Sequence, residues 1–440
     1  MTRTQEEEDN EQTVQSIRTV YDDIHSASTK ESIEKHDPPA EDGGYGWLVV
    51  LGTFMVQVTS FGVASSIMQE HYFGTLFEKV PNATFQLSLV GVLLEVFVNL
   101  MGPVGQIMQS ITGTKSVLIL GTLLATFGLE MAGFSTQIWH LYLTQGVCFG
   151  AGASLMYVTA IGVCPQWFDK RRGLALGLAA SGSGIGGLVL PFVLSPLNKS
   201  LGAPWTYRIL GFICLGCDLL ACVFIKEKYP RKKGRKKLSD IFKLDVLKDI
   251  NYVLWCAGSV ISLMGYFVPY FFIPTYATKY LGLDATQAST FIAVMSAANF
   301  IGRITVGFLA DRIGRLNADI IYTFLCGLSS LLIWTFASSY GILMAYCVVF
   351  GLFCGSYFAL ISPITATILE MDRFPTGLSL LLIFNVISVF GPSIASGIQS
   401  SVGGDPFLVY KVFAGVTYIV GGVILTILKM RITKSIFGKI

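Results

Sequence analysis

Charge is what this chain has least of. Of its 440 residues only 13% are Asp, Glu, Lys or Arg, while 52% are hydrophobic. Soluble domains carry roughly twice that charged fraction. A water-soluble fold of this length cannot hide so much apolar surface, so lipid must solvate part of it. Histidine is equally sparse: His25, His36, His71 and His140 are scattered through tail and loops. There is no HExxH, and no Gly-x4-Gly-Lys frame. The run Thr112-Gly113-Thr114-Lys115-Ser116 matches only the end of a phosphate loop and caps an apolar span, which excludes ATP-driven pumping within the chain. The nine cysteines lie in apolar runs. The one CxxC, Cys214 to Cys217, has no second pair and no nearby His, so these read as small buried hydrophobes. An enzyme is not expected, nor a cofactor, a metal site or a nucleic-acid partner. Residues 1–40 are polar, so no signal peptide is expected.

What the chain has in abundance is apolar runs near the 20 residues needed to cross a bilayer. Residues 1–44 come first: acidic, rich in Ser and Thr, without apolar period, and expected to be a disordered cytosolic tail. Spans are then predicted at 45–68, 85–107, 115–134, 139–163, 173–196 and 206–225, and again at 251–275, 285–309, 316–337, 340–368, 375–399 and 406–428. Between the two sets, 226–250 is a basic loop running from Lys226 to Lys248. The chain thus divides into six-helix bundles at 45–225 and 251–428, with a short basic tail at 429–440. Two such halves suit an axis along the membrane normal.

Lys and Arg bias sets the orientation. Lys170-Arg171-Arg172, the central loop, Arg312 with Arg315, and the C-terminal tail fall on one side if the span count is even. That side is expected to be the cytosol and to hold both termini. Asn82-Ala-Thr84, a glycosylation sequon, then lies outside. Asn198-Lys-Ser200 lies outside too, tighter to a helix end.

Three segments carry more specific information. Gly307-Phe-Leu-Ala-Asp311-Arg312-Ile-Gly314-Arg315 joins the eighth and ninth spans, with an Asp able to cap a helix start or pair with an Arg of the other half. It resembles the loop motif of the major facilitator superfamily; the first-half counterpart, Gly102 to Lys115, is degenerate and lacks the Asp. Asp42-Gly43-Gly44-Tyr45-Gly46-Trp47 opens the first span and resembles the monocarboxylate porter signature, with Tyr45 where many members have Trp. Trp167-Phe168-Asp169-Lys-Arg-Arg172-Gly173-Leu-Ala-Leu-Gly177-Leu-Ala-Ala-Ser181-Gly182-Ser183-Gly184 resembles that family's fifth-span motif, an aromatic and a basic cluster followed by small residues that let helices approach. The likeness covers about 41–428 and is nearest in style to the fungal branch. It implies an all-α membrane protein of the major facilitator fold: two six-helix bundles and about 12 transmembrane helices.

Intramembrane ionisable residues mark the candidate site, because they are costly there. Arg303 and Asn299 are one turn apart and share a helix face. In the animal lactate carriers of the family an Asp and an Arg hold these positions, with a Lys in the first span. Here Asn299 and Ser65 replace the Asp and the Lys, so that proton-lactate mechanism does not carry over. Arg303 remains able to bind an anionic or carbonyl-bearing solute, or to be held structurally by helix carbonyls. Glu95, one turn from Asn99, is the candidate proton site, since a carboxyl out of water favours its neutral form; it reads equally as a helix contact. The resemblance implies that spans 1, 4, 7 and 10 line the cavity. That makes Gln57, Ser60, Tyr157, Tyr266, Tyr270, Ser356 and Tyr357 candidates, joined by Asn385 and Ser388. Pro269, Pro274, Pro363 and Pro392 mark expected kinks.

The expected function is alternating-access transport of a small organic solute, acting as a monomer in lipid, with a proton as candidate co-substrate. Uptake of a monocarboxylate or a vitamin such as riboflavin competes with export of a secondary metabolite. A non-transporting membrane sensor is the reading from another class; the short tails argue against it. The plasma membrane is the expected location, the vacuolar membrane the alternative.

Overall fold

The computed structural model describes residues 42–66, 83–229, 244–369, 373–402, 405–433 and 438. Regular structure among them is helical throughout. Helix α1 runs Gly46–Gln57, through a wider π turn at Val58–Gly62, to Val63–Ser66. Helix α2 is bent, Ala83–Leu100 followed by Gly102–Thr112, and α3 is Thr114–Ala132. Helix α4 continues from Ile138–Leu141 through Tyr142–Phe149 to Gly150–Val163. The helical run Arg172–Phe224 is 53 residues long, about 80 Å at 1.5 Å per residue and so far more than one bilayer. It leaves helical geometry at Gly202 (φ 76°), which separates α5 (172–201) from α6 (203–224).

The second half repeats the layout. Helix α7 is Ile250–Lys279, α8 Ala285–Ile313, and α9 Arg315–Ser329 with Ser330–Trp334. Helix α10 is Tyr340–Cys354 and Ser356–Ile368, α11 Phe374–Val389 and Gly391–Val402, and α12 Leu408–Thr433. Among the described residues nine helical stretches are long and apolar enough to cross a membrane; the bent α2 and the shorter apolar α1 bring the set to twelve once α5 and α6 are separated. Large apolar side chains stay exposed around the outside, among them Phe127, Phe192, Phe212, Phe336 and Val416, as a lipid-facing surface requires.

Two expectations change. The breaks in α10 and α11 fall at Gly355 and Phe390, whereas α7 passes unbroken through Pro269 and Pro274 and α10 through Pro363. In a bundle, neighbouring helices and hydroxyls re-satisfy the carbonyl a proline frees, so proline need not break the rod. The expected tail at 429–440 also shortens, because α12 continues to Thr433. Asn82 and the part of the basic loop at 230–243 lie outside the described residues, as does the tail up to residue 41.

Of three apolar cores, one belongs to α1–α6 (Val49, Leu94, Phe149, Tyr207) and one to α7–α12 (Phe291, Trp334, Phe350, Tyr418). The third draws on both halves, from Val50, Tyr157 and Ala175 to Val306, Leu360 and Leu381. It lies toward the end that carries Arg172, Arg312 and Arg315, here called the basic end. The two halves are therefore joined at the centre and the basic end.

Candidate translocation site

The site is built where α8 crosses α5. Small residues let the two approach: a Cβ placed on Gly177 would stand 2.5 Å from the Arg303 carbonyl oxygen and 3.1 Å from Gly307 Cα. At this crossing Arg303 is only 4% exposed, yet well partnered. Its Nε donates to Asn299 Oδ1 at 2.6 Å, and its Nη1 donates to the Ala180 carbonyl at 2.9 Å and to Ser183 Oγ at 2.5 Å. Ala180 and Ser183 belong to α5, so this side chain ties the two halves together. None of these bonds uses Nη2. Asn299 is fixed in turn, donating from Nδ2 to Cys354 Sγ at 3.0 Å. A neutral Asn orients the guanidinium without cancelling its charge, which an Asp there would do.

Rings close around this charge from four helices. Phe358 of α10 lies under the guanidinium at 4.8 Å. Its ring meets Tyr266 of α7 at 5.1 Å, Tyr357 at 5.4 Å and Phe61 of α1 at 6.1 Å. Phe61 packs edge-on against Tyr157 of α4 at 4.9 Å, and Tyr270 lies 5.1 Å from Tyr266. Asn385 of α11 donates to the Tyr357 hydroxyl at 2.6 Å. Glu95 of α2 is half-buried and lies within electrostatic range of the Tyr266 hydroxyl, as Arg303 does. The centre thus holds one base, Arg303, within an aromatic cage, with Glu95 of the other half in electrostatic range.

Most of the expected site residues gather here: Arg303, Asn299, Tyr157, Tyr266, Tyr270, Tyr357, Asn385 and Glu95. Others do not join the cage contacts, Ser356 and Ser388 among them: Ser356 bonds Asp319 and Ser388 the Asn385 carbonyl. Gln57 packs against Gly182 of α5. Asn99 turns its amide back to the Glu95 carbonyl at 2.8 Å. Ser60 likewise bonds to its own helix, at the Val56 carbonyl. Phe61, Phe358, Ser183 and Cys354 take part instead. No residue-type signal picks out the two Phe among 31 in the chain; Ser183 lies in the small-residue run read as packing.

The motif residues meet at the basic end. Asp311 accepts hydrogen bonds from the Gly173 and Leu174 amides at 2.8 and 2.9 Å, so a carboxylate of the second half caps the start of α5 in the first. Asp42 does the same for the preceding loop, accepting from the Asp169 and Lys170 amides at 2.6 and 3.0 Å after a positive-φ turn at Gly43 and Gly44. Trp47 meets Phe168 at 5.0 Å. The two porter-like segments, remote in sequence, are one contact in space. Arg172 donates to the Phe168 carbonyl and lies 4.0 Å from Asp169. Arg315 donates to Thr367, and Arg312 stacks on Phe308 at 4.1 Å.

Two six-helix halves joined by close-packed seams around a central polar cage define a polytopic membrane transporter of small solutes, not an enzyme. The chain belongs to the Major Facilitator Superfamily, which residues 47–321 and 255–435 match. It is 30% identical to MFS transporter asaE of Aspergillus flavus, over 88% of this chain and 87% of that one. It is 29% identical to the Fujikurins efflux protein of Gibberella fujikuroi, over 92% and 87%. It is 26% identical to Monocarboxylate transporter 10 of Danio rerio, over 91% and 80%. Two solved structures share the fold: the human organic anion transporter MFSD10 (TM-score 0.66, 13% identity, 87% of this chain and 98% of that one) and the E. coli fucose:proton symporter FucP (0.67, 14%, 87% and 98%).

Proposed function

We propose that this protein moves an anionic or carbonyl-bearing organic solute, and that it works outward, as an exporter. The observation that carries the reading is Arg303: a guanidinium held on two sides by the protein through bonds that do not use Nη2, its charge inside a cage of rings. A planar fork suits a carboxylate or carbonyl, and Tyr and Phe faces suit an aromatic or amphipathic body. Export is supported by the name of the Gibberella fujikuroi relative. Uptake of a monocarboxylate is the second reading, supported by the Danio rerio relative.

Alternating access follows from the seams. With Asp311 in place the basic end is shut, and releasing that carboxylate from the Gly173 and Leu174 amides lets the halves rock about Arg303. On this reading the basic end faces the cytosol with both termini, the protein acts as a monomer in the plasma membrane, and Glu95 is the site at which a proton couples to movement. Loop charge supports the orientation.

The test is an untargeted comparison of solutes inside and outside cells expressing the wild type or Arg303→Ala. The expected result is one class of organic acid or carbonyl compound depleted inside and enriched outside with the wild type only. Inward accumulation of a small carboxylate would favour the second reading. Identical profiles for both proteins would overturn the site.

A further inference from the structure

A second polar centre lies inside the second half, behind the wall of the solute cage. Asp319, one turn into α9, is 1% exposed. It faces a small cavity of about 10 Å³, room for one water-sized body, between α7, α9, α10 and α12. Its polar side is formed by Ser259 and Ser262 from α7, Thr323 from α9, and Ser356 and Tyr357 from α10, and its apolar side by Leu263 and Leu425. The Ser356 hydroxyl hydrogen-bonds the carboxyl, and Ser262 Oγ is taken by the Gly258 carbonyl at 2.9 Å. Two buried oxygens facing this space have no partner, Asp319 Oδ1 and Ser259 Oγ. The remaining titratable groups around it are Cys354 of α10 and Tyr418 of α12, with Cys326 further along α9. Neither Lys nor Arg is among the lining residues.

A bare carboxylate oxygen in such a place costs several kcal/mol unless a positive charge reaches it. No Lys or Arg among the lining residues supplies one. The polar part of the lining is carboxyl and hydroxyl oxygen, the donor type that suits a small cation, and the void holds one body of that size. We propose that this cavity is a monovalent-cation site: Asp319 takes up a single positive charge, as a sodium ion or as a proton, with Ser259 completing the lining. Its wall is shared with the cage. Cys354 accepts from Asn299, which orients Arg303, and Tyr357 packs on Phe358 beneath Arg303. Those two wall residues flank the break in α10 at Gly355, so filling the cavity and positioning Arg303 act on one hinge. The site stands apart from the solute assignment: it requires no particular solute and no particular direction of transport.

The experiment uses the full chain in lipid nanodiscs without solute. Thermal unfolding is followed against sodium chloride, with choline chloride holding ionic strength constant, and infrared spectra are recorded for the protonated-carboxyl band. The wild type is expected to show either a sodium-dependent rise in midpoint, as ligand binding to the folded state demands, or a protonated-carboxyl band that Asp319→Asn lacks. The first identifies sodium, the second a proton, and Asp319→Asn is expected to lose whichever is present. A wild type with neither signal, or an Asp319→Asn protein that keeps the signal, overturns the proposal. Should Asp319→Asn fail to fold, Ser259→Ala decides: a sodium affinity about tenfold weaker, or a displaced carboxyl band, supports the site, and no change in either overturns it.

Discussion

The two seams that join the halves are built to different strengths. The α5–α8 seam and the α2–α11 seam lie on opposite sides of the centre, and the helix leaving each toward the basic end turns at a positive-φ glycine, Gly314 (φ 105°) and Gly113 (φ 90°). Counting back equal distances from those glycines pairs Asp311 with Ser110, Gly307 with Gln106, and Arg303 with Gly102. In α5–α8 the carboxylate caps a helix of the other half and the guanidinium bonds its carbonyl and hydroxyl. In α2–α11 a neutral bond crosses the seam among the described residues, Gln106 to Thr376 at 3.1 Å, and Gly102 lies against Ser379. Charge-assisted bonds are roughly twice as strong as neutral ones. On the proposed transport cycle the first seam serves as the latch, and the second is the lighter contact.

The largest effect is expected at Arg303. Arg303→Ala removes both the tie to α5 and the donor toward the solute, and flux should fall by about 100-fold or more with the protein still inserted. Arg303→Lys keeps the charge but not the fork, and should recover only part. Unchanged flux in the Ala variant would remove this residue from the site. Gly177→Val comes next. Its new Cβ meets a backbone oxygen at 2.5 Å, which cannot swing aside as a side chain would. Forcing the helices apart costs about 1–3 kcal/mol, so the basic end should open, seen as faster alkylation of cysteines introduced there. Labelling at the wild-type rate would mean that the α5–α8 seam is not the latch.

Asp311→Asn tests the latch more gently, because an amide can still accept from Gly173 or Leu174 but brings no charge. A loss of about 1–2 kcal/mol, or roughly tenfold in the balance of closed and open forms, is expected from spin-label distances across the basic end. Glu95→Gln concerns the lighter seam, since α2 supplies the acid of the central cage. Flux of this variant should lose its pH dependence while a fixed-pH rate stays within a few-fold of wild type. A pH profile that persists would assign the proton elsewhere.

How much of this was legible beforehand differs by the kind of physics involved. Spans and halves were, because a bilayer demands about 20 apolar residues at a time and basic residues stay in the loops on one side. The pairing of Arg303 with Asn299 was, because side chains four apart on a helix must meet. The cap by Asp311 was anticipated as a type of contact, though not its partner amides, which come from the other half. The cage was half legible: its tyrosines carry a polar tip that draws notice, whereas Phe61 and Phe358 resemble any lipid-facing ring until helix rotation is known. Gln57 and Asn99 stand apart from the rings: Asn99 returns its amide to the Glu95 carbonyl, whereas Gln57 packs on Gly182 with a buried Oε1 that has no protein partner. Asp319 went unread because it stands one turn from Arg315, where a charge looks like the rim of a loop and only packing reveals burial.

The smallest expected effect is also the one that bears most directly on the inequality of the seams. Gln106→Leu keeps volume near the original and removes the donor to Thr376. A neutral hydrogen bond is worth about 0.5–1.5 kcal/mol net, and the replacement returns part of that as apolar contact in a seam already lined by Leu382. Flux and closure should therefore change by less than about threefold, well below Asp311→Asn measured in the same membrane. If Gln106→Leu opened the basic end as far as Asp311→Asn, the two seams would share the load equally, and the charge on one of them would have to serve something other than closure.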